Sequence, residues 1–227
     1  MAGKGTSGRG RKAGAETTQP ARHEEPALSR ERVIAAAVDL LDADGIEGLT
    51  MRRLADRLGC GVMSLYWHVD NKDAVFDLAL DSVLAYGGAA QPAASGDWRS
   101  EILHLLEDWR ANMLRHPWSA ALLPRRALGR SMLYRLELLS RILANAGVRE
   151  ADLNPAIWSL WNYVMGATIT RASLERSDAE RTAAQERLAQ TREHFPTIER
   201  SRLLLDDDWE GAFRKGLGFL MAGFGPR

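Results

Sequence analysis

The chain has 227 residues with 30 basic and 30 acidic side chains, so no charge excess marks a partner. A single cysteine, Cys60, excludes an internal disulfide framework and suits a reducing compartment. No signal-like apolar stretch opens the chain, and its most apolar run, 156–169, is short for a membrane span and contains Asn162, so a soluble, cytoplasmic protein without a membrane partner is expected.

Residues 1–27 are rich in Gly, Ala, Thr and Arg and show no apolar period. A disordered basic tail is expected there, either inert or an arm touching DNA. Ser29 can cap a helix running to about Asp44, with Val33, Ala37, Leu40 and Leu41 on one face and Gly45 ending it. Thr50 can cap a second, ended by Gly59. A third spans roughly Val62–His68. Asp70 or Asn71 caps a fourth, which reaches about Tyr86. The run 87–96 (GGAAQPAASG) is a loop by composition and the expected domain boundary. Beyond it the pattern predicts helices over about 97–115, 118–124, 129–145, 152–175, 178–193 and 208–222. No strand alternation occurs, so the fold class is all-α: a helix-turn-helix domain over 28–86 and a larger helical domain over 97–227.

The stretch TMRRLADRLGCGVMSLYWHV, residues 50–69, has the steric pattern of a helix-turn-helix. Ala55 is small where two helices cross. Gly59 supplies a left-handed turn. Leu54, Leu58 and Leu65 form a small core beneath. Such a unit lays its second helix in the major groove. Arg52 then offers a bidentate contact to guanine or a phosphate, and Ser64 a hydrogen bond to a base edge or phosphate. Val62 and Met63 suit a thymine methyl. The polar tips of Tyr66, Trp67 and His68, and Lys72 after them, suit phosphate oxygens. Arg53 and Arg57 are further candidates for the backbone. Against this reading, residues 28–86 hold six basic and ten acidic side chains, whereas DNA-binding domains are usually basic. The alternative is that Tyr66 and Trp67 are ordinary core aromatics.

The run IEGLTMRRLADRLGCGVMSLYWHVDNKDAV, residues 46–75, resembles the N-terminal domain of the TetR family of transcriptional regulators. The resemblance covers about 50 residues, Arg32 to Asp81. It implies that Arg52 reads a base from the first helix of the motif. It also implies that Val62, Met63, Ser64 and Tyr66 read from the recognition helix, and that Trp67, His68 and Lys72 hold phosphates. Tetracycline-binding members open that helix with Gln and Pro. Here Val62 and Met63 stand instead, so a bidentate adenine reader is lost and a different operator is expected.

The family implies a helical ligand-binding and dimerisation domain for the rest. The residues add support. Trp98, Ile102, Leu105, Trp109 and Met113 lie near one helix face. Trp158, Trp161 and Met165 recur at i, i+3 and i+7, with Asn162 beside them, and Trp118 and Leu122 come from the short helix between. Trp109, Met113, Trp118, Trp158, Trp161, Asn162 and Met165 therefore form a candidate pocket for a flat, mostly apolar molecule, with plain core packing as the alternative for each. Where the resemblance would call for the metal ligands of tetracycline-binding members, this chain has Leu or Pro near Leu123–Pro124 and Thr170, and His104 and His116 do not form a pair, so no metal, no other cofactor and no tetracycline are expected. In the last helix Gly216 and Gly218 suit the close approach of another helix, either within the chain or, as the resemblance implies, in a four-helix dimer interface.

The expected protein is a ligand-responsive regulator, most simply a repressor, binding a palindromic operator in double-stranded DNA as a homodimer and released by a small-molecule effector. A ligand-activated activator and a helical protein-interaction module are the alternatives. No nucleophile–base pair, metal cluster or phosphate loop points to an enzyme; the GKGT near the start lacks the strand and helix of a P-loop.

Overall fold

Ser29, Thr50, Asn71 and Asp97 each cap a helix. Their side-chain oxygens accept from the backbone N–H of Arg32 (3.3 Å), Arg53 (3.2 Å), Ala74 (2.8 Å) and Arg99 (3.1 Å), satisfying donors that a helix start leaves free. The computed structural model describes residues 1, 3, 28–87, 97–126, 128–175, 178–201 and 208–224. The basic tail expected over 1–27, apart from residues 1 and 3, and the loop over 88–96 lie outside them. All regular structure among the described residues is helical.

The N-terminal helices are α1 (Arg30–Gly48), α2 (Met51–Leu58), α3 (Val62–Leu65) and α4 (Lys72–Val83). Gly45 breaks α1 from within, at φ 69° and ψ −167°. At Gly59 the chain turns left-handed (φ 65°, ψ 28°), and the N–H groups of Gly59 and Cys60 return to Asp56 O (3.2 Å) and Ala55 O (3.1 Å). This is the helix stop that glycine permits without strain. Leu54, Ala55 and Leu65 are buried with Val33, Ala37 and Leu41 of α1 and with Val75 and Ala79 of α4.

The C-terminal helices are α5 (Trp98–Arg115), α6 (Pro117–Leu122), α7 (Arg130–Asn145), α8 (Glu150–Glu175), α9 (Asp178–Gln190), α10 (Pro196–Ser201) and α11 (Trp209–Met221), with a 3₁₀ turn over Leu123–Arg125. Helices α5, α7, α8 and α11 pack on one another around Ile102, Leu106, Leu139, Leu160, Val164 and Leu217. Tyr163 of α8 stacks on Phe213 of α11, and its hydroxyl donates to Phe213 O (3.1 Å).

Two elements are shorter than their patterns predict. Helix α3 stops at Leu65, and Tyr66–His68 follow as a turn, with the N–H groups of His68 and Val69 both returning to Leu65 O (2.9 and 3.0 Å). Helix α4 ends at Val83 instead of reaching Tyr86. Helix α10 is additional to the predicted set.

Candidate nucleic-acid interface and effector core

The surface of the helix-turn-helix separates its candidate residues sharply. Leu65 is fully buried, while Met63 is 75% and Trp67 88% exposed. Tyr66 and Arg52 are also exposed, and Val62, Ser64, His68 and Lys72 are half-buried along the same edge. A tryptophan this open has no packing role in the chain, so the core reading of Tyr66 and Trp67 does not hold. Lys72 lies over the Phe76 ring, 5.2 Å from its centroid.

The three arginines of α2 divide in the same way. Arg53 pairs with Asp44 and donates from Nη1 to Gly48 O (2.8 Å). Arg57 pairs with Asp39 (2.9 Å). Both guanidiniums thus tie α2 to α1 while remaining about half exposed. Among the described residues Arg52 has no such partner. These pairs leave the acidic excess of residues 28–86 unchanged, because each paired Asp of α1 is matched by an Arg of α2.

Asp42, Asp77 and Asp81 are occupied at the seam with the C-terminal helices. Asp42 Oδ1 accepts from Trp118 Nε1 (2.7 Å) and lies 2.8 Å from His116 Nδ1. Asp81 accepts from the backbone N–H of Ser131 in the first turn of α7 (2.7 Å). Arg126, just past the 3₁₀ turn, reaches Asp77 through Nε (2.6 Å), Asp73 Oδ1 through Nη1 (2.8 Å) and Asp73 O through Nη2 (2.8 Å). Its hydrogen bonds to Asp77 and then Asp73 hold its guanidinium above the ordinary arginine range. Arg135 of α7 is 1% exposed. It donates to Leu84 O (2.7 Å) at the end of α4 and to Asp108 of α5 (2.6 Å). Burial draws its guanidinium below the ordinary range, and Asp108 opposes that. Helix α4 is therefore held along its length by Arg126, by the start of α7 and by Arg135. Chain pattern could not reveal these residues: each pair is separated by tens of positions, and a charged side chain carries no local sign of its partner.

The candidate effector residues fall into three groups. Trp109, Met113, Trp161 and Met165 are buried, and the Trp109 and Trp161 rings meet edge to face at 5.1 Å. Trp158 contacts Trp161 (5.6 Å) but is 53% exposed, and Asn162 is exposed beside it. Trp118 is buried with its N–H spent on Asp42, which makes it a seam residue. Among the described residues the buried side-chain atoms Trp109 Nε1, Arg110 Nε, Ser119 Oγ and Arg135 Nη1 have no hydrogen-bond partner. Two clefts of about 400 and 520 Å³ flank the Asp42–His116–Trp118 contact. The first lies between α1, α4 and the end of α5, the second between the end of α1 and α6; neither is lined by Trp109 or Trp161.

Residues 33–79 match the model of bacterial regulatory proteins of the tetR family, and residues 91–226 match that of the tetracyclin repressor-like C-terminal domain. The chain belongs to the TetR family of transcriptional regulators. It is 38% identical over 204 residues to an HTH-type transcriptional regulator of Saccharopolyspora erythraea, covering 88% of this chain and 85% of that one. It is 33% identical over 200 residues to the class D tetracycline repressor of Escherichia coli, covering 87% and 89%. Among solved structures it resembles the TetR family protein ActR of Streptomyces coelicolor in complex with actinorhodin, with a TM-score of 0.74 and 26% identity over 88% of this chain and 96% of that one. As a TetR-family regulator, the chain carries a DNA-binding helix-turn-helix, and the exposed edge from Arg52 to Lys72 lies within it.

Proposed function

We propose that this TetR-family protein is an effector-responsive repressor that binds a palindromic operator as a homodimer. The observation that carries the reading is the pairing of an 88%-exposed Trp67 with an exposed Arg52, which has no partner among the described residues, on the outer edge of a helix-turn-helix. In this reading Arg52, Val62, Met63, Ser64 and Tyr66 face bases. Trp67, His68 and Lys72 hold phosphates, the last at the start of α4, where the helix dipole also favours an anion. DNA as the target places the protein in the cytoplasm.

The dimer is supported by the outer faces of α8 and α11. Ile169 (46%) and Phe219 (72%) are exposed there, and a side chain added at Gly166 or Gly218 would meet nothing within 4 Å. Exposed apolar groups beside open glycines suit the close approach of a second copy. An aromatic effector is supported by the Trp109–Trp161 ring pair and the unpartnered Trp109 Nε1 within it. Buried polar groups without partners are uncommon, and a ligand oxygen would satisfy them. ActR was solved with actinorhodin; for this chain an aromatic, oxygen-bearing effector is proposed only as a class.

The test is operator release. Operator DNA obtained by selection from a random pool is bound by the purified protein, and hydroxyquinones are titrated in while anisotropy of the DNA and tryptophan fluorescence are followed. Parallel quenching and release support the reading; release without any change in tryptophan emission would place the effector away from Trp109 and Trp161.

A further inference from the structure

A regulator whose DNA-binding half is net acidic has to keep carboxylates away from phosphates. Two of them sit in an awkward place. Asp73 follows Lys72 directly at the start of α4, and Asp77 is one turn further along the same face. Their side chains are 76% and 48% exposed. Both would add negative charge beside the cation that is to hold a phosphate.

Arg126 stands against both. One guanidinium bridges the two carboxylates and the Asp73 carbonyl while remaining only 17% exposed itself. It also lies over the Phe76 ring at 5.7 Å, the ring that Lys72 approaches at 5.2 Å. The two cations are thus separated by no more than those two distances together, about one screening length at physiological salt. The carboxylates come from the helix-turn-helix half and the arginine from the segment that ends α6. The charge at the DNA-facing end of α4 therefore depends on the seam between the two halves being closed.

We propose that Arg126 is a positioning residue that also acts as a charge mask, setting DNA affinity by offsetting one of the two negative charges of Asp73 and Asp77 beside Lys72. The inference rests on the DNA reading given above. While the seam is closed, the start of α4 presents Lys72 beside a flank whose negative charge is halved by Arg126. When α6 and its 3₁₀ turn move away, α4 loses an anchor and the two freed carboxylates repel the phosphates. One displacement then weakens binding both sterically and electrostatically.

The two contributions separate by salt and by charge. Arg126→Ala is expected to weaken operator binding about tenfold at about 50 mM salt, and the deficit is expected to shrink as salt rises, because charges exposed this far are screened. Adding Asp73→Asn and Asp77→Asn to that variant is expected to restore affinity to within about threefold of the unaltered protein, since the repulsion it removes is electrostatic. In the unaltered background the same two Asn substitutions leave Arg126 unpaired and are expected to tighten binding about threefold or more. This last variant changes only exposed carboxylates, so it stands even if Arg126→Ala folds poorly, which circular dichroism would reveal. A deficit in Arg126→Ala that is independent of salt and is not rescued by the Asn pair would overturn the mask, as would unchanged affinity in the Asn pair alone. If the unaltered protein selects no DNA, the DNA reading itself fails and the mask falls with it.

Discussion

At the scale of single residues, neighbours of the same type do different work. Arg52, Arg53 and Arg57 lie within two turns of α2, yet Arg53 and Arg57 are bound to Asp44 and Asp39 while Arg52 has no partner among the described residues. Arg52→Ala should weaken operator binding by about 1–3 kcal/mol, as expected for a base-reading arginine, with the thermal midpoint unmoved. Arg53→Ala should do the reverse at first order, lowering stability by up to about 1 kcal/mol, as for a partly exposed ion pair with one added hydrogen bond. Thermal melts and anisotropy titrations on the same preparations distinguish them. Trp67→Ala should also cost DNA affinity while changing stability by less than about 0.5 kcal/mol, the range for an exposed position away from packing. A marked loss of stability would mean that Trp67 packs in a way its 88% exposure contradicts.

At the scale of elements, the reading of the chain was strongest where local chemistry decides. Ser29, Thr50, Asn71 and Gly59 mark helix ends through their own side chains or their lack of one, and all four stand where the pattern put them. It failed where a helix stops without such a signal. Nothing in Tyr66–His68 forbids helix, but Leu65, locked into the core, takes both returning N–H groups and the chain turns. It was blind to the seam, because Arg126 and Arg135 find carboxylates about 50 and about 30 positions away. The glycines of α11 show how the structure divides two open alternatives. A Cβ on Gly216 would lie 2.0 Å from the Tyr163 hydroxyl of the same chain, whereas one on Gly218 would meet nothing within 4 Å. Gly216→Ala should therefore destabilise the fold, by about 1–3 kcal/mol if the stacked Tyr163 ring has to shift. Gly218→Ala should stabilise an isolated chain by up to about 1 kcal/mol through helix propensity. If a second copy packs there, the same substitution should instead raise the dimer dissociation constant, which sedimentation at several concentrations reads directly.

At the scale of the whole molecule, the two halves meet at a seam made largely of charge. Arg135 is buried and joins the last carbonyls of α4 to Asp108 of α5, and Arg126 and Asp42 hold two further points. Arg135→Met removes the cation that holds these groups. It is expected to lower stability by about 2–4 kcal/mol, less than for a fully buried pair because Asp108 keeps access to water. It should also loosen the end of α4, seen as faster amide exchange at residues 80–84. In the proposed function, coupling through this seam is reciprocal, so effector and operator are expected to weaken each other's binding by one common factor, typically about 5–150-fold. The most direct measurement is selection of bound sequences from a random DNA pool by the purified protein at low salt. The account predicts enrichment of a palindrome whose half-sites lie about one helical turn apart, bound by two copies. Enrichment of a single unpaired site, or none in protein freed of bound small molecules, would contradict it.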